Sequence, residues 1–276
     1  MLKNLITINC SSCSERTCLR FSQKELETPD FIKDFPAASY DNVCLAGAIS
    51  FEKGNIFIDK ERCINCGLCA YRCHQNKIKM NEIMPDMTDS AISELFRNIS
   101  KLKRRDQNLP NLIVRNLLIS LGYKTSMLKK GVISIRTDLV GSEFIGEVEF
   151  GEDILETLRS ILDDVAVLKS RYNVDFNKIK TFIFIDKLPH IRSEIWEVIS
   201  DIKKITGIQI ETITLLYLFL RIWDEKKYLT DNGKYNFYID KFSTDYRNGI
   251  YKKYMPNCKI SKLSEREEID IMSQSN

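Results

Sequence analysis

The chain has 276 residues and a formal net charge of +3, with 43% hydrophobic and 29% charged residues. That balance excludes a disordered polyelectrolyte and shows no overall basic excess of the kind that coats nucleic acid. The longest apolar stretch, Ile213 to Leu220, is too short to span a bilayer, so a soluble, cytoplasmic chain long enough for two domains is expected.

From the N-terminus, Met1 to Cys10 has no apolar run long enough for a signal peptide, which argues against an oxidising compartment and against disulfides. Eight of the nine cysteines lie in the first 73 residues. Cys10-x2-Cys13 is followed by Cys18, then by Cys44. After a short strand, Asn55 to Asp59, comes Cys63-x2-Cys66-x2-Cys69-x3-Cys73. Three thiolates at that spacing wrap one face of an iron-sulfur cubane, and the fourth is carried by the start of a helix toward a second cluster. One such run implies another set, and the crossed pairing follows. Cys63, Cys66, Cys69 and Cys44 would hold one [4Fe-4S] cluster, and Cys10, Cys13, Cys18 and Cys73 the other. Two zinc sites would also consume eight thiolates, but a third cysteine only two residues after the second crowds a small tetrahedral ion. Cys258, alone near the C-terminus, reads as a partly buried thiol.

This segment resembles the bacterial two-cluster ferredoxins through Cys44-Leu-Ala-Gly-Ala-Ile-Ser50, Asn55-Ile-Phe-Ile-Asp59 and Cys63-Ile-Asn-Cys66-Gly-Leu-Cys69. It departs from them at Leu45 and His74, which stand where the family has proline. It departs also in the long Cys18 to Cys44 interval, which Thr28 to Ala37 fills with mixed loop and short-helix character. The resemblance implies a ferredoxin-like module over residues 1–84, electron transfer, and a redox partner protein.

Met84-Pro-Asp-Met-Thr-Asp-Ser90 punctuates the chain, and Thr88 or Asp89 suits the cap of a linker helix within residues 85–108, with Ile92, Leu95, Phe96, Ile99 and Leu102 at helical spacing. Its basic end, Lys101 to Arg105, reads as a solvated helix terminus. Residues 109–276 alternate elements. A helix at Leu112 to Leu121 is ended by Gly122; strands follow at Tyr123 to Leu128, Val132 to Leu139 and Phe144 to Phe150. A helix then runs from Glu152 to Tyr172, a strand from Ile179 to Ile185, a helix from Pro189 to about Thr206, and a strand from Ile208 to Ile213. Tyr235 to Asp240 suggests an added strand, and the charged tail from Ser261 suggests fraying. Trp196 and Trp223 read as core, and His190 as a surface residue at a helix start. The whole is an α+β, two-domain chain: a ferredoxin-like module followed by a mixed-sheet α/β domain.

Chemistry in the second half rests on carboxylates. Asp138 ends one expected strand, and Glu147 and Glu149 lie two apart on the next, on one face. Three converging carboxylates need a cation, so the group either binds Mg²⁺ or splays into solvent. The order of elements together with Asp138 and Glu147-Val-Glu149 resembles the PD-(D/E)xK, restriction-endonuclease-like superfamily, although Glu149 stands in place of the usual lysine and Thr137 in place of the usual proline. The resemblance implies a metal-dependent DNA endonuclease, with Asp138 and Glu147 as metal ligands and Glu149 as the general base or the residue that orders a catalytic water. The competing expectation is an electron-transfer ferredoxin whose α/β domain docks a redox partner, the acids lying on an ordinary half-exposed strand.

Overall fold

The structure is a computed structural model; it describes residues 5–11, 13–28, 40–80, 89–104, 106–128, 137–151, 153–172, 174–175, 179–186, 189 and 193–225. Two sheets organise them. In the smaller, β1 (Leu5–Asn9), β2 (Ile49–Glu52) and β3 (Asn55–Asp59) lie in the order β1-β3-β2, all antiparallel. Ile8, Ile56 and Ile58 turn inward from it, the alternation expected of a sheet with one covered face. A single helical turn, α1 (Leu68–Tyr71), follows Gly67.

Helix α2 (Asp89–Lys103) buries Leu95 and Ile99; Asp89 is its first residue, and Thr88, the other expected cap, lies outside the described residues. Its basic end is not purely solvated: Lys103 Nζ donates to the Phe150 carbonyl. Helix α3 (Leu109–Ser120) starts three residues earlier than the periodicity suggests, with Pro110 in the first turn where a missing N–H costs nothing, and it stops at Leu121 and Gly122. Every residue from Leu109 to Ile119 is buried. A helix enclosed on all sides is a central element rather than a surface one.

The larger sheet runs β4 (Thr125–Ser126), β5 (Leu139–Gly141), β6 (Phe144–Glu149), β7 (Lys180–Ile185), β8 (Ile210–Thr214), in that order. Pairings β4–β5 and β5–β6 are antiparallel, β6–β7 and β7–β8 parallel. Antiparallel neighbours join through short turns, whereas the parallel pairs need crossovers, supplied by α4 (Ile154–Tyr172) and α5 (Ile195–Thr206). Two expected elements shift. The described strand lies after Asp138 rather than ending at it, residues 132–136 of the expected strand falling outside the described residues; and α5 begins at Ile195, not Pro189. The apolar run from Leu215 forms a further helix, α6 (Leu215–Glu225), whose first turn is fixed by the Tyr217 N–H donating to Thr214 Oγ1.

Helix α3 joins the two halves. Asn116 Nδ2 donates to the carbonyls of Asn42 and Val43, and Arg115 Nη2 to that of Tyr40. From α6, Trp223 Nε1 donates to the Cys66 carbonyl at 3.0 Å. The insertion Thr28 to Ala37 lies almost wholly outside the described residues, as do His190, Tyr235 to Asp240, Cys258 and the tail. Among the described residues no helix is long and apolar enough to cross a membrane.

Candidate cluster and carboxylate sites

The first eight cysteines fall into two groups. Cys10, Cys13, Cys18 and Cys73 line one small cavity together with Arg16, Thr17 and Ile56. The loop carrying the first three is tied to the turn carrying the fourth. Thr17 Oγ1 donates to the Arg72 carbonyl, while Arg72, itself buried, donates from Nε to the Thr17 carbonyl and from Nη2 to Glu25 Oε1, both at 2.8 Å. Burial first, then Cys73, Cys10 and Cys13, push the Cys18 thiol up to about 12. A thiolate formed there would meet other developing negative charges with little solvent to screen them.

The second group is Cys44, Cys63, Cys66 and Cys69. Burial pushes the Cys66 thiol up to about 12, with Cys44 and Cys63 adding to it; burial likewise raises the Cys69 thiol well above its ordinary value, with Cys66, Cys44 and Cys63 adding to it. Two of the eight sulfurs accept backbone N–H groups four or five residues on: Ala48 N–H donates to Cys44 Sγ at 3.3 Å, and Lys77 and Ile78 donate to Cys73 Sγ at 3.2 and 3.4 Å. These are the fourth cysteines of the two expected sets. Gly67, at φ +77°, lets the Cys66 loop pass under α6: a Cβ there would lie 3.3 Å from Trp223 Nε1 and 2.5 Å from the Met80 side chain. His74 is exposed.

The carboxylates lie on β6 and the bend before β5. Register pairs Leu139 with Gly146, which sets Asp138 opposite Glu147. Asp138 Oδ2 accepts the Val148 N–H at 3.0 Å, and its Oδ1 accepts Asn111 Nδ2 from α3, so its orientation is held from two sides. Glu147 is 6% exposed and hydrogen-bonds both Asp138 and Asp164, a residue of α4 that is itself buried. Its Oε1 has no hydrogen-bond partner among the described residues. Burial, then the charges of Asp138 and Asp164, push the Glu147 carboxyl up to about 10. Three such groups cannot all be ionised without a cation or a shared proton.

Glu149, two residues on and facing the same helix, is half-buried beside Thr157, which donates to it at 3.5 Å. Burial raises its carboxyl; the charge of Lys103 works the other way, those of Asp153 and Asp186 with it. The structure therefore joins Asp138 to Glu147 as expected and brings in Asp164, whereas Glu149 sits among a separate set of charges. Asp164 was missed, yet it carries a signal: it lies in the buried stripe Ile154, Leu158, Ile161, Val165 and Leu168, where an acid demands a partner. Asn111 had no comparable signal. Among the described residues no three His, Cys, Asp or Glu side chains converge closely enough to hold a single metal ion. No protein-family model, no curated protein and no solved structure matches the chain.

Proposed function

We propose that the chain is an iron-sulfur protein carrying two [4Fe-4S] clusters fused to a Mg²⁺-dependent DNA endonuclease domain. The cluster reading is supported by the division of eight cysteines into two groups of four, each with its fourth member from the other run. It is supported also by the N–H donors aimed at Cys44 and Cys73, which suit sulfurs that carry negative charge. A cubane gives each thiolate its own iron, so its ligands stand further apart than those of a single zinc ion. Bound clusters would supply electron transfer or structural cross-linking; the residues themselves position and shield them. Total iron of about eight per chain in anaerobically purified protein is expected, falling to about four in Cys18→Ser. About four irons in the wild type would remove the Cys10 group from the proposal.

The observation that carries the hydrolytic reading is the contact of half-buried Asp138 with buried Glu147 across the β5–β6 pair, on a mixed sheet preceded by α3 and followed by α4. Mg²⁺ is commonly held by one or two carboxylates, with water and substrate phosphate completing its shell, so two ligands suffice. In this reading Asp138 and Glu147 hold the ion, Asn111 fixes the Asp138 carboxylate, and Glu149 orders or deprotonates the attacking water. Wild type is expected to cleave duplex or single-stranded DNA with Mg²⁺ or Mn²⁺, and Asp138→Ala to lose about 100-fold or more. A wild type inert on every DNA and metal tried would favour the second reading, an electron-transfer protein whose α/β half docks a redox partner.

A further inference from the structure

The face of the larger sheet opposite the carboxylates holds a cleft of about 420 Å³ between the end of α3 and the start of α6. We propose that it binds a nucleotide, either free or at the end of a single strand. The size falls in the range of small-ligand sites. Its floor is backed by a trio of rings, Phe144, Phe182 and Phe184, with centroids 5.5, 5.9 and 6.4 Å apart; Phe144 and Phe184 are buried in the core and Phe182 is half-buried. Gly146 makes this trio possible, since a Cβ there would stand 2.6 Å from the Phe184 ring. Tyr123, 45% exposed, and the buried Tyr217 complete the aromatic lining.

Charges of both signs ring this aromatic floor. Lys124, Lys180 and Arg221 line the cleft together with Glu143 and Glu211. A plain apolar ligand would make no use of the exposed Lys180 and Glu143, and a simple anion would face two carboxylates. A nucleotide matches these features: its base stacks against Tyr123 and the half-buried Phe182, its amino and ring N–H groups donate to a carboxylate, and its phosphate pairs with Lys180 and Lys124. Lys180 is exposed, and among the described residues Lys124 is engaged by Glu27 at 3.3 Å in a half-exposed pair, a contact weak enough to exchange for a phosphate. Along β6, Phe144, Gly146 and Val148 alternate with Ile145, Glu147 and Glu149, so the cleft and the carboxylates occupy opposite faces. The site is independent of the hydrolytic reading.

Isothermal titration of the full chain with adenosine 5′-monophosphate, adenosine, inorganic phosphate and a short single-stranded oligonucleotide tests the assignment. The expected result is saturable binding of the mononucleotide or of the strand, weaker with adenosine and undetectable with phosphate. Lys180→Glu should weaken it about fivefold or more and Tyr123→Ala on the order of tenfold, both substitutions lying at exposed positions that leave folding intact. Binding of the mononucleotide identifies a free ligand; binding of the strand alone, with the same two variants weakened, identifies a strand anchor. The assignment is overturned if neither binds, if phosphate binds as tightly as the mononucleotide, or if both variants bind like wild type.

Discussion

Trp223→Ala is expected to lower the unfolding free energy by about 3–5 kcal/mol and to accelerate iron loss from the cluster proposed at Cys44, Cys63, Cys66 and Cys69. The indole is fully buried, stacks on Phe219 at 5.5 Å and donates to the Cys66 carbonyl. Truncation removes a large side chain from a packed site and leaves a cavity beside the loop that carries three cysteines. Trp223→Phe keeps most of the volume and loses only the N–H, so its cost should be about 0.5–1.5 kcal/mol. Chemical denaturation of the anaerobic protein, with iron release followed in parallel, checks both. Equal midpoints for wild type and Trp223→Ala would mean that α6 does not hold the cysteine loop.

Glu147→Gln should stabilise the metal-free protein at pH 7 by on the order of 3 kcal/mol while abolishing any Mg²⁺-dependent cleavage. Burial and two neighbouring acids raise the Glu147 carboxyl from an ordinary 4.5 to about 10. Folded chains therefore keep a proton that unfolded chains release. The sign follows: this group's contribution is complete below pH 4.5, declines by roughly 1.4 kcal/mol per pH unit as pH rises, and is exhausted only near 10. A glutamine needs no proton, and its NH₂ donates to the same neighbours. Unfolding curves at pH 5, 7 and 8 in chelator should show wild type weakening with pH and Glu147→Gln nearly flat. Added Mg²⁺ should restore wild type at pH 8 and do little for the variant. A Glu147→Gln protein less stable than wild type at pH 8 in chelator would contradict this account of the carboxyl group.

Parts of this arrangement were readable in the residues, and others lacked any local trace. The cysteine spacing suggests two sets of four ligands, because ligand spacing is a local property of the chain, and Cys10, Cys13, Cys18 and Cys73 do line one cavity. Gly122 ends α3 where expected, for the same reason: a positive φ is demanded by the turn itself. The mixed order of strands and helices, including the Asp138 and Glu147 hairpin, also followed from periodicity. What periodicity misses is what another element supplies. Asn111 looks like any helix polar residue until α3 is set against the bend at Asp138. Lys103 looks like a solvated terminus until Phe150 is beside it, and the short β4 and β5 owe their lengths to pairing rather than to propensity. Asp164 is the intermediate case, legible as an acid on an apolar stripe but not as a partner of Glu147.

The enclosure of α3 on all sides changes where this chain can be cut. By composition the break falls near residue 84, and a fragment beginning at Leu109 retains the whole larger sheet. Such a fragment would carry Arg115 and Asn116 with their acceptors at Tyr40, Asn42 and Val43 removed, and would bare Trp223 to water. Each orphaned buried donor costs about 1–3 kcal/mol, comparable to a large share of a domain's net stability. The hydrogen bonds of α3 and α6 thus couple the two halves, and neither half could be exchanged for an unrelated module without rebuilding the surface that these helices present to it.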